Sequence, residues 1–316
     1  MNKHVISYDI GGTKITSGLI SPSGEIADQI KVPSRACEGA AGIMAAARHA
    51  TRAILGRNHI GRLAGGGIST AGVVRKEQGL IGGATDLMPG WSGFRVKEAF
   101  ESMLSQRVVV DNDGNCALYA EARRQSLMDK DVVLLALGTG LGGAIYSSGV
   151  VREGAFALSG HFGQTLVGGL SDADEWQPLE TALSGNGLGN IARRILGERN
   201  PGADALALFP DGQAVIAGLD SSDAARTALS RWSRLLARTC HNIQWNYDPD
   251  TIIIGGGMIE SKEAWWQQFQ ESLADLNQRF GLPCEMDVRP AVLGNDAAMV
   301  GAGLMAWHDP GMQSQS

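Results

Sequence analysis

The chain has 316 residues, 44% of them hydrophobic and 19% charged, with a formal net charge of −6. This is the composition of a soluble globular protein long enough for two cores, and it excludes disorder as the default reading. Acidic and basic residues are interspersed, so no surface for nucleic acid or an anionic membrane is expected, and a small-molecule partner fits better.

No apolar run approaches the roughly 18 residues of a membrane span. Met1-Asn2-Lys3-His4 leads straight into a strand-like segment without a signal pattern, so a cytoplasmic location is expected. Cys37, Cys116, Cys240 and Cys284 form no CxxC or CxC pair and read as buried free thiols. Glycine is the outlier, with 43 residues, many of them beside apolar runs where backbone groups could meet a ligand.

In chain order, residues 5–20 read as two strands joined by the turn Asp9-Ile10-Gly11-Gly12-Thr13-Lys14. Residues 132–146 repeat that plan around Gly138-Thr139-Gly140-Leu141-Gly142-Gly143, which reads as a duplication. Apolar periodicity predicts helices over 41–55, 116–127, 224–245, 264–280 and 296–307, and strands over 107–110 and 251–254. Hairpins followed by alternating helices and strands imply an α/β protein of two domains, a mixed sheet in each and a ligand cleft between them. Residues 309–316 are expected to be disordered.

Glycine turns of this kind present converging N–H groups and admit a phosphate closely. Gly11 and Gly12 in the first turn, and Gly138, Thr139, Gly140 and Gly142 in the second, are therefore candidate phosphate contacts for ATP. Thr13 and Lys14 can donate to phosphate oxygens, and Asp9 can hold Mg²⁺ directly or through water. One such turn reads equally as a tight structural hairpin; two at matched positions favour the phosphate reading. Gly255-Gly256-Gly257 follows the strand at 251–254 and precedes an expected helix, which suits a nucleotide face or a plain structural turn.

Val110-Asp111-Asn112-Asp113-Gly114-Asn115 lies at a strand end and a helix start, where capping is the simpler explanation. Its place between two candidate phosphate turns favours chemistry instead. Phosphoryl transfer to an alcohol needs a carboxylate within reach of the attacking hydroxyl, the role expected of Asp113, with Asn112 orienting a neighbouring hydroxyl.

DIGGTK at 9–14, NDGNCALYAE at 112–121, GTGLGGAI at 138–145, GHFGQ at 160–164, LETALSG at 179–185 and IIIGGGM at 252–258 follow one another as in the ROK family of bacterial sugar kinases and sugar-responsive repressors. The chain resembles that family over nearly its whole length. The resemblance implies two actin-like, ribonuclease-H-like domains closing over sugar and MgATP, with the last helix returning to the first domain: residues 1–113 plus 296–310, then 114–295, then a disordered tail over 311–316. It implies Asp113 as the catalytic base, and Asn112, Gly72, Glu180 and Asp86 as sugar contacts, Asp86 standing where the family has asparagine. A homodimer is also implied.

Departures from the family pattern concern the GExGH segment. His161 stands in place of its sugar-binding glutamate and Gln164 in place of a histidine that both touches the sugar and binds zinc, so both are expected as sugar contacts, and Ser171-Asp172-Ala173-Asp174-Glu175-Trp176-Gln177-Pro178 replaces a cysteine-rich zinc segment. Glutamine is a poor zinc ligand, so no structural zinc is expected. His161, in a polar turn after Gly160, is expected to face the ligand, and its setting resembles the N-acetylmannosamine kinases of the family. Trp91, Trp176, Trp265 and Trp266 could stack on a sugar or adenine, or belong to the core or an interface.

The activity expected is transfer of the ATP γ-phosphoryl group to the primary hydroxyl of a hexose or N-acylhexosamine, N-acetylmannosamine among them. Glucokinase-, fructokinase- or allokinase-type specificity and a sugar binder without catalysis are the alternatives. A repressor is disfavoured because the first hairpin begins near Val5, leaving no room for a helix-turn-helix segment.

Overall fold

The first glycine turn is the bend of a hairpin: β1 (Val5–Ile10) and β2 (Lys14–Ile20) pair antiparallel, with Ile10 opposite Ile15. The computed structural model describes residues 4–60, 63–84, 86–168 and 176–313. Its contacts separate into two units, the first comprising residues 1–128, 151–159 and 295–316 and the second 129–150 and 160–294.

Unit 1 continues through β3 (Ile26–Pro33), α1 (Gly39–Asn58), β4 (Gly65–Thr70), β5 (Val73–Arg75), β6 (Leu80–Gly83), α2 (Val96–Leu104), β7 (Val108–Asn112) and α3 (Asp113–Arg124). Its sheet runs β3-β2-β1-β4-β7, with β1, β4 and β7 parallel. Strand β3 alternates half-buried and exposed residues, as befits an edge with one wet face. Strand β4, GGGIST, is buried throughout; its three glycines leave only Ile68 and Thr70 to carry the β-branched signal that marks a strand in sequence. Ile6, Tyr8, Ile43, Trp91 and Phe100 lie in the core of this unit, with the Tyr8 and Phe100 rings edge to face at 5.1 Å.

Unit 2 is built from β8 (Val132–Leu137), β9 (Leu141–Ser147), β10 (Val150–Val151), β11 (Leu166–Val167), β12 (Gln177–Pro178), α4 (Gly185–Arg199), α5 (Ala205–Leu208), α6 (Gly212–Ala217), α7 (Asp223–Tyr247), β13 (Thr251–Gly255), α8 (Trp266–Arg279) and β14 (Asp287–Pro290). Its sheet runs β10-β9-β8-β13-β14. The order third-second-first-fourth-fifth is that of unit 1, and again the first pair is antiparallel while the first, fourth and fifth are parallel. The duplication read in the two glycine turns thus extends to both sheets, the actin-like plan occurring twice. A core of Leu, Ile and Trp side chains joins α4, α7 and α8 to this sheet, with Trp232 and Trp265 edge to face at 5.3 Å.

The chain ends in unit 1 with α9 (Ala297–His308) and α10 (Pro310–Gln313). Helix α9 packs on β1, β2, β4 and α3, and Ser7 Oγ donates to the Met299 carbonyl at 2.5 Å. The contact is close because glycines form it. A Cβ at Gly67 would lie 2.1 Å from the Ala302 carbonyl oxygen, and one at Gly301 1.8 Å from that of Cys116.

Several expectations change. The contacts divide after residue 128 and not after 113, because α3 packs along α9 and so belongs with unit 1. Residues 310–313 form a helical turn where disorder was expected, while 314–316 lie outside the described residues. Helix α8 fills the range expected over 264–280, but an unforeseen 3-10 run from Gly257 to Ala264 precedes it. Cys116 and Cys240 are buried as expected, but Cys37 and Cys284 are exposed. Helices α2 and α4 were not foreseen.

Candidate active site

Strand β7 delivers Asp111 and Asn112 at its end, and α3 starts at Asp113. Asn112 is the N-cap: its Oδ1 accepts from the amides of Gly114 (2.9 Å) and Asn115 (3.4 Å), satisfying two donors that a helix start leaves free. Its Nδ2 donates to the Gly72 carbonyl at 2.8 Å, so the structure brings together two of the expected sugar contacts. Gly72 has φ 105°, and a Cβ there would fall 2.4 Å from the Gly83 carbonyl oxygen, which restricts the position to glycine.

Asp113 accepts at Oδ1 from the Gly114 amide at 2.9 Å and its side chain is open to solvent. The protein packed around it still raises its pKa above the usual carboxylate value, against the lowering effect of the Gly114 and Asn112 bonds, with the Asp111 charge adding to the rise. A carboxylate that is reachable and more basic than usual is what a general base requires. Asn112 is the cap, so the exposed carboxylate of Asp113 is not needed for that role.

Asp9 lies at the end of β1 and accepts from Ser69 Oγ at 2.8 Å. Desolvation, followed by the charge of Asp113, lifts its pKa from 3.8 to about 6; Asp296 contributes in the same direction and Lys14 opposes. Asp296, the residue before α9, holds a buried Oδ1 without a hydrogen-bond partner. No group of three or more His, Cys, Asp or Glu residues arranged for a metal occurs among the described residues. Mg²⁺ bound chiefly through nucleotide phosphates and water needs only one or two carboxylates. The oxygen donors of Asp9 and Asp296, one crowded by like charge and the other unsatisfied, fit that requirement.

In the first glycine turn the Gly11 amide donates to the Lys14 carbonyl at 3.0 Å, and Ser34 Oγ holds the Gly12 carbonyl at 2.7 Å. Thr13 and Lys14 are exposed. Gly12 passes so near Leu87 that a Cβ would lie 2.8 Å from its Cβ. In unit 2, Gly138 and Gly140 close the matching turn (2.9 Å), and the Gly138 carbonyl accepts from the Gly185 amide at the start of α4 (2.8 Å). Thr139 and Gly142 are exposed beside it. Gly256 has φ 83° and touches Leu137, next to that turn, while Gly255 ends β13 and Gly257 faces open space. The second and third glycine runs thus meet.

Glu180 and Gln164 also come together: Gln164 Nε2 donates to Glu180 Oε1 at 2.7 Å. The other carboxylate oxygen is 3.5 Å from the Leu141 amide and 2.8 Å from the position a Cβ on Gly140 would occupy. Glu180 therefore spans from Gln164 to the second glycine turn. His161 is half-buried, after Gly160 at φ 81°, and its Nδ1 is buried without a partner. Asp86 is exposed. The segment 171–175 expected to replace a zinc loop lies outside the described residues. Trp91 and Trp265 are core residues, their Nε1 groups donating to Thr70 Oγ1 and the Met258 carbonyl, whereas Trp176 is exposed.

Sequence reading missed Ser69, Lys76, Glu153 and Asp296, and gave Asp111 only a capping role. Lys76 Nζ lies 2.5 Å from Asp111 Oδ2 and 2.8 Å from Glu153 Oε1. Asp296 had a signal, since it precedes an apolar helix directly, but nothing in the sequence places it beside Asp9.

The ROK family model matches residues 5–309. The chain belongs to the ROK family. It is 28% identical over 313 residues to a glucokinase of Halalkalibacterium halodurans, covering 94% of this chain and 93% of that protein. To an N-acetylmannosamine kinase of Escherichia coli it is 27% identical over 307 residues, covering 95% and 97%. A solved ROK family glucokinase from Streptomyces griseus, in complex with glucose and AMPPNP, superposes with a TM-score of 0.76 at 26% identity, covering 95% of this chain and 98% of that one. No helix among the described residues is long and apolar enough to cross a membrane.

Proposed function

We propose that this ROK protein is an ATP-dependent sugar kinase that phosphorylates the primary hydroxyl of a hexose or N-acylhexosamine. The observation that carries the reading is Asp113: a solvent-open carboxylate of raised basicity at the start of α3, next to an Asn112 fastened to Gly72. Asp113 takes the hydroxyl proton as the oxygen attacks the γ-phosphorus and the bond from that phosphorus to the β,γ-bridging oxygen breaks, releasing ADP, while Asn112 and the Gly72 backbone orient the sugar. The turns at 11–14 and 138–142 supply amides, the Thr13 hydroxyl and the Lys14 ammonium to phosphate oxygens. Mg²⁺, held by Asp9 with Asp296, would supply charge neutralisation on the phosphates when bound.

Glu180, steadied by Gln164, and His161, with its unsatisfied Nδ1, are the polar groups of unit 2 that would read the remaining hydroxyls or an N-acyl group. Specificity for N-acetylmannosamine over glucose is the finer form of the proposal. His161 supports it, because an imidazole can either donate or accept where a carboxylate only accepts. A cytoplasmic homodimer is part of the same reading.

The test is MgATP-dependent ADP release with glucose, mannose, fructose, allose, N-acetylglucosamine and N-acetylmannosamine, alongside the 6-deoxy analogue of the preferred sugar. Turnover with the sugar and none with its 6-deoxy analogue is expected. Sugar binding without ADP release across the panel would favour the non-catalytic reading.

A further inference from the structure

Three acidic and basic side chains from separate stretches of unit 1 converge beside the catalytic turn. Lys76 stands in a short 3-10 turn between β5 and β6. Its ammonium touches Asp111 on β7 (2.5 Å) and Glu153 in the segment 151–159 (2.8 Å), the stretch that runs directly into Gly160 and His161. The Asp111 side chain is 1% exposed, against 27% for Lys76 and 35% for Glu153. Burial alone would depress the lysine, but the two carboxylates more than offset it and hold its pKa above the ordinary value. Burial lifts the Asp111 carboxyl, and Lys76 opposes that lift.

Both oxygens of Asp111 are committed. Oδ2 faces Lys76, and Oδ1 accepts from the Asn112 amide (2.7 Å) and from Asn115 Nδ2 (2.8 Å). Asn112 in turn reaches the Gly72 carbonyl, and Gly72 immediately precedes β5, which leads to Lys76. The contacts close a ring: Gly72, β5, Lys76, Asp111, Asn112 and back to Gly72. A buried ion pair adds little net stability compared with an apolar pair of the same shape, so stability does not account for placing one here. What the pair supplies is a fixed direction for Asp111, and through it for the two residues that follow.

We propose that Lys76 is a positioning residue for the Asn112–Asp113 turn, acting through Asp111, and that through Glu153 the same ammonium fastens the segment leading to His161. Lys76 acts through these two carboxylates, which its ammonium contacts directly. Its consequences for catalysis rest on the kinase reading above, but its consequences for order in the turn do not.

The experiment measures amide hydrogen exchange over 112–115 and 151–159, with steady-state kinetics alongside, in wild type, Lys76→Met, Lys76→Gln and Lys76→Arg. Lys76→Met is expected to speed exchange in both stretches by about tenfold or more and to lower kcat by roughly 10–100-fold with the MgATP KM unchanged. Lys76→Arg, which keeps the charge, should recover most of the protection and of kcat. If Lys76→Met does not fold, Lys76→Gln decides, because its amide can still donate to one carboxylate. Wild-type protection in both stretches of the neutral variant would overturn the proposal, as would equal loss in the arginine variant. A wild type inactive on every sugar would count against the kinase reading alone, since exchange still reports on the cluster.

Discussion

Asp113 is solvent-open while its neighbour Asp111 is almost wholly buried, although only Asn112 separates them. The difference follows from the strand-to-helix junction, which turns one carboxylate inward to Lys76 and leaves the other at the helix start. Asp113→Asn should lower kcat by about 10²–10⁴-fold, the range for loss of a general base, with sugar affinity kept in calorimetry. Because the Asp113 pKa is raised, the acid limb of kcat/KM should fall at a pH above the ordinary carboxylate range. Asp9 gives a separate test. Its folded pKa, about 6, exceeds the ordinary 3.8, so the fold favours its neutral form; that contribution is complete below about 3.8 and is lost as pH rises through 6. Asp9→Asn should therefore raise the Tm of the ligand-free protein at pH 7.5, by about 2–4 °C per kcal/mol recovered, with the gain shrinking toward pH 5.

At the scale of elements, the glycine turns carry most of what the sequence made legible. Both hairpins, the strands at 107–110 and 251–254 and the long helix over 224–245 are in place because local pattern and burial agree there. Strand β4 was invisible: three glycines dilute the signal of Ile68 and Thr70, and tertiary contacts explain them, Gly67 lying against the Ala302 backbone of α9 and Gly66 against Leu104 and Val108. The site divides along the same line. Asn112, Asp113 and the turn residues were legible as local motifs, whereas Lys76, Glu153 and Asp296 act through partners distant in sequence, which spacing cannot reveal. The Gln164–Glu180 bond was likewise unforeseen, although both residues had been singled out. It makes the second turn testable: the Cβ of Gly140→Ala would meet Glu180 Oε2 at 2.8 Å and displace it. Sugar KM should rise roughly tenfold with the fold intact by circular dichroism, about the effect of one misplaced charged hydrogen bond. An unchanged sugar KM would remove Glu180 from sugar binding.

Over the whole molecule, one sheet plan is used twice, and each copy opens its first hairpin turn with glycine, Gly11 and Gly138. The copies differ in how they are completed. Unit 2 is closed by α4, α7 and α8, which are all in its own stretch of sequence, while unit 1 is closed by α9 from the C-terminus. Gly67→Ala should destabilise unit 1 by about 1–3 kcal/mol or more, the range for overpacking, since backbone of α9 and not a yielding side chain lies in the way. Differential scanning calorimetry would register it as a lowered Tm, and a Tm equal to that of wild type would contradict the tight β4–α9 contact.

The borrowed helix also orders events during synthesis. Residues 295–308 leave the ribosome after every residue of unit 2 has been made. The sheet of unit 1, made before that of unit 2, therefore waits with the glycine face of β4 uncovered until α9 has been made, while the later-made unit already has all its parts. For this chain, the half that begins first is the half that finishes last.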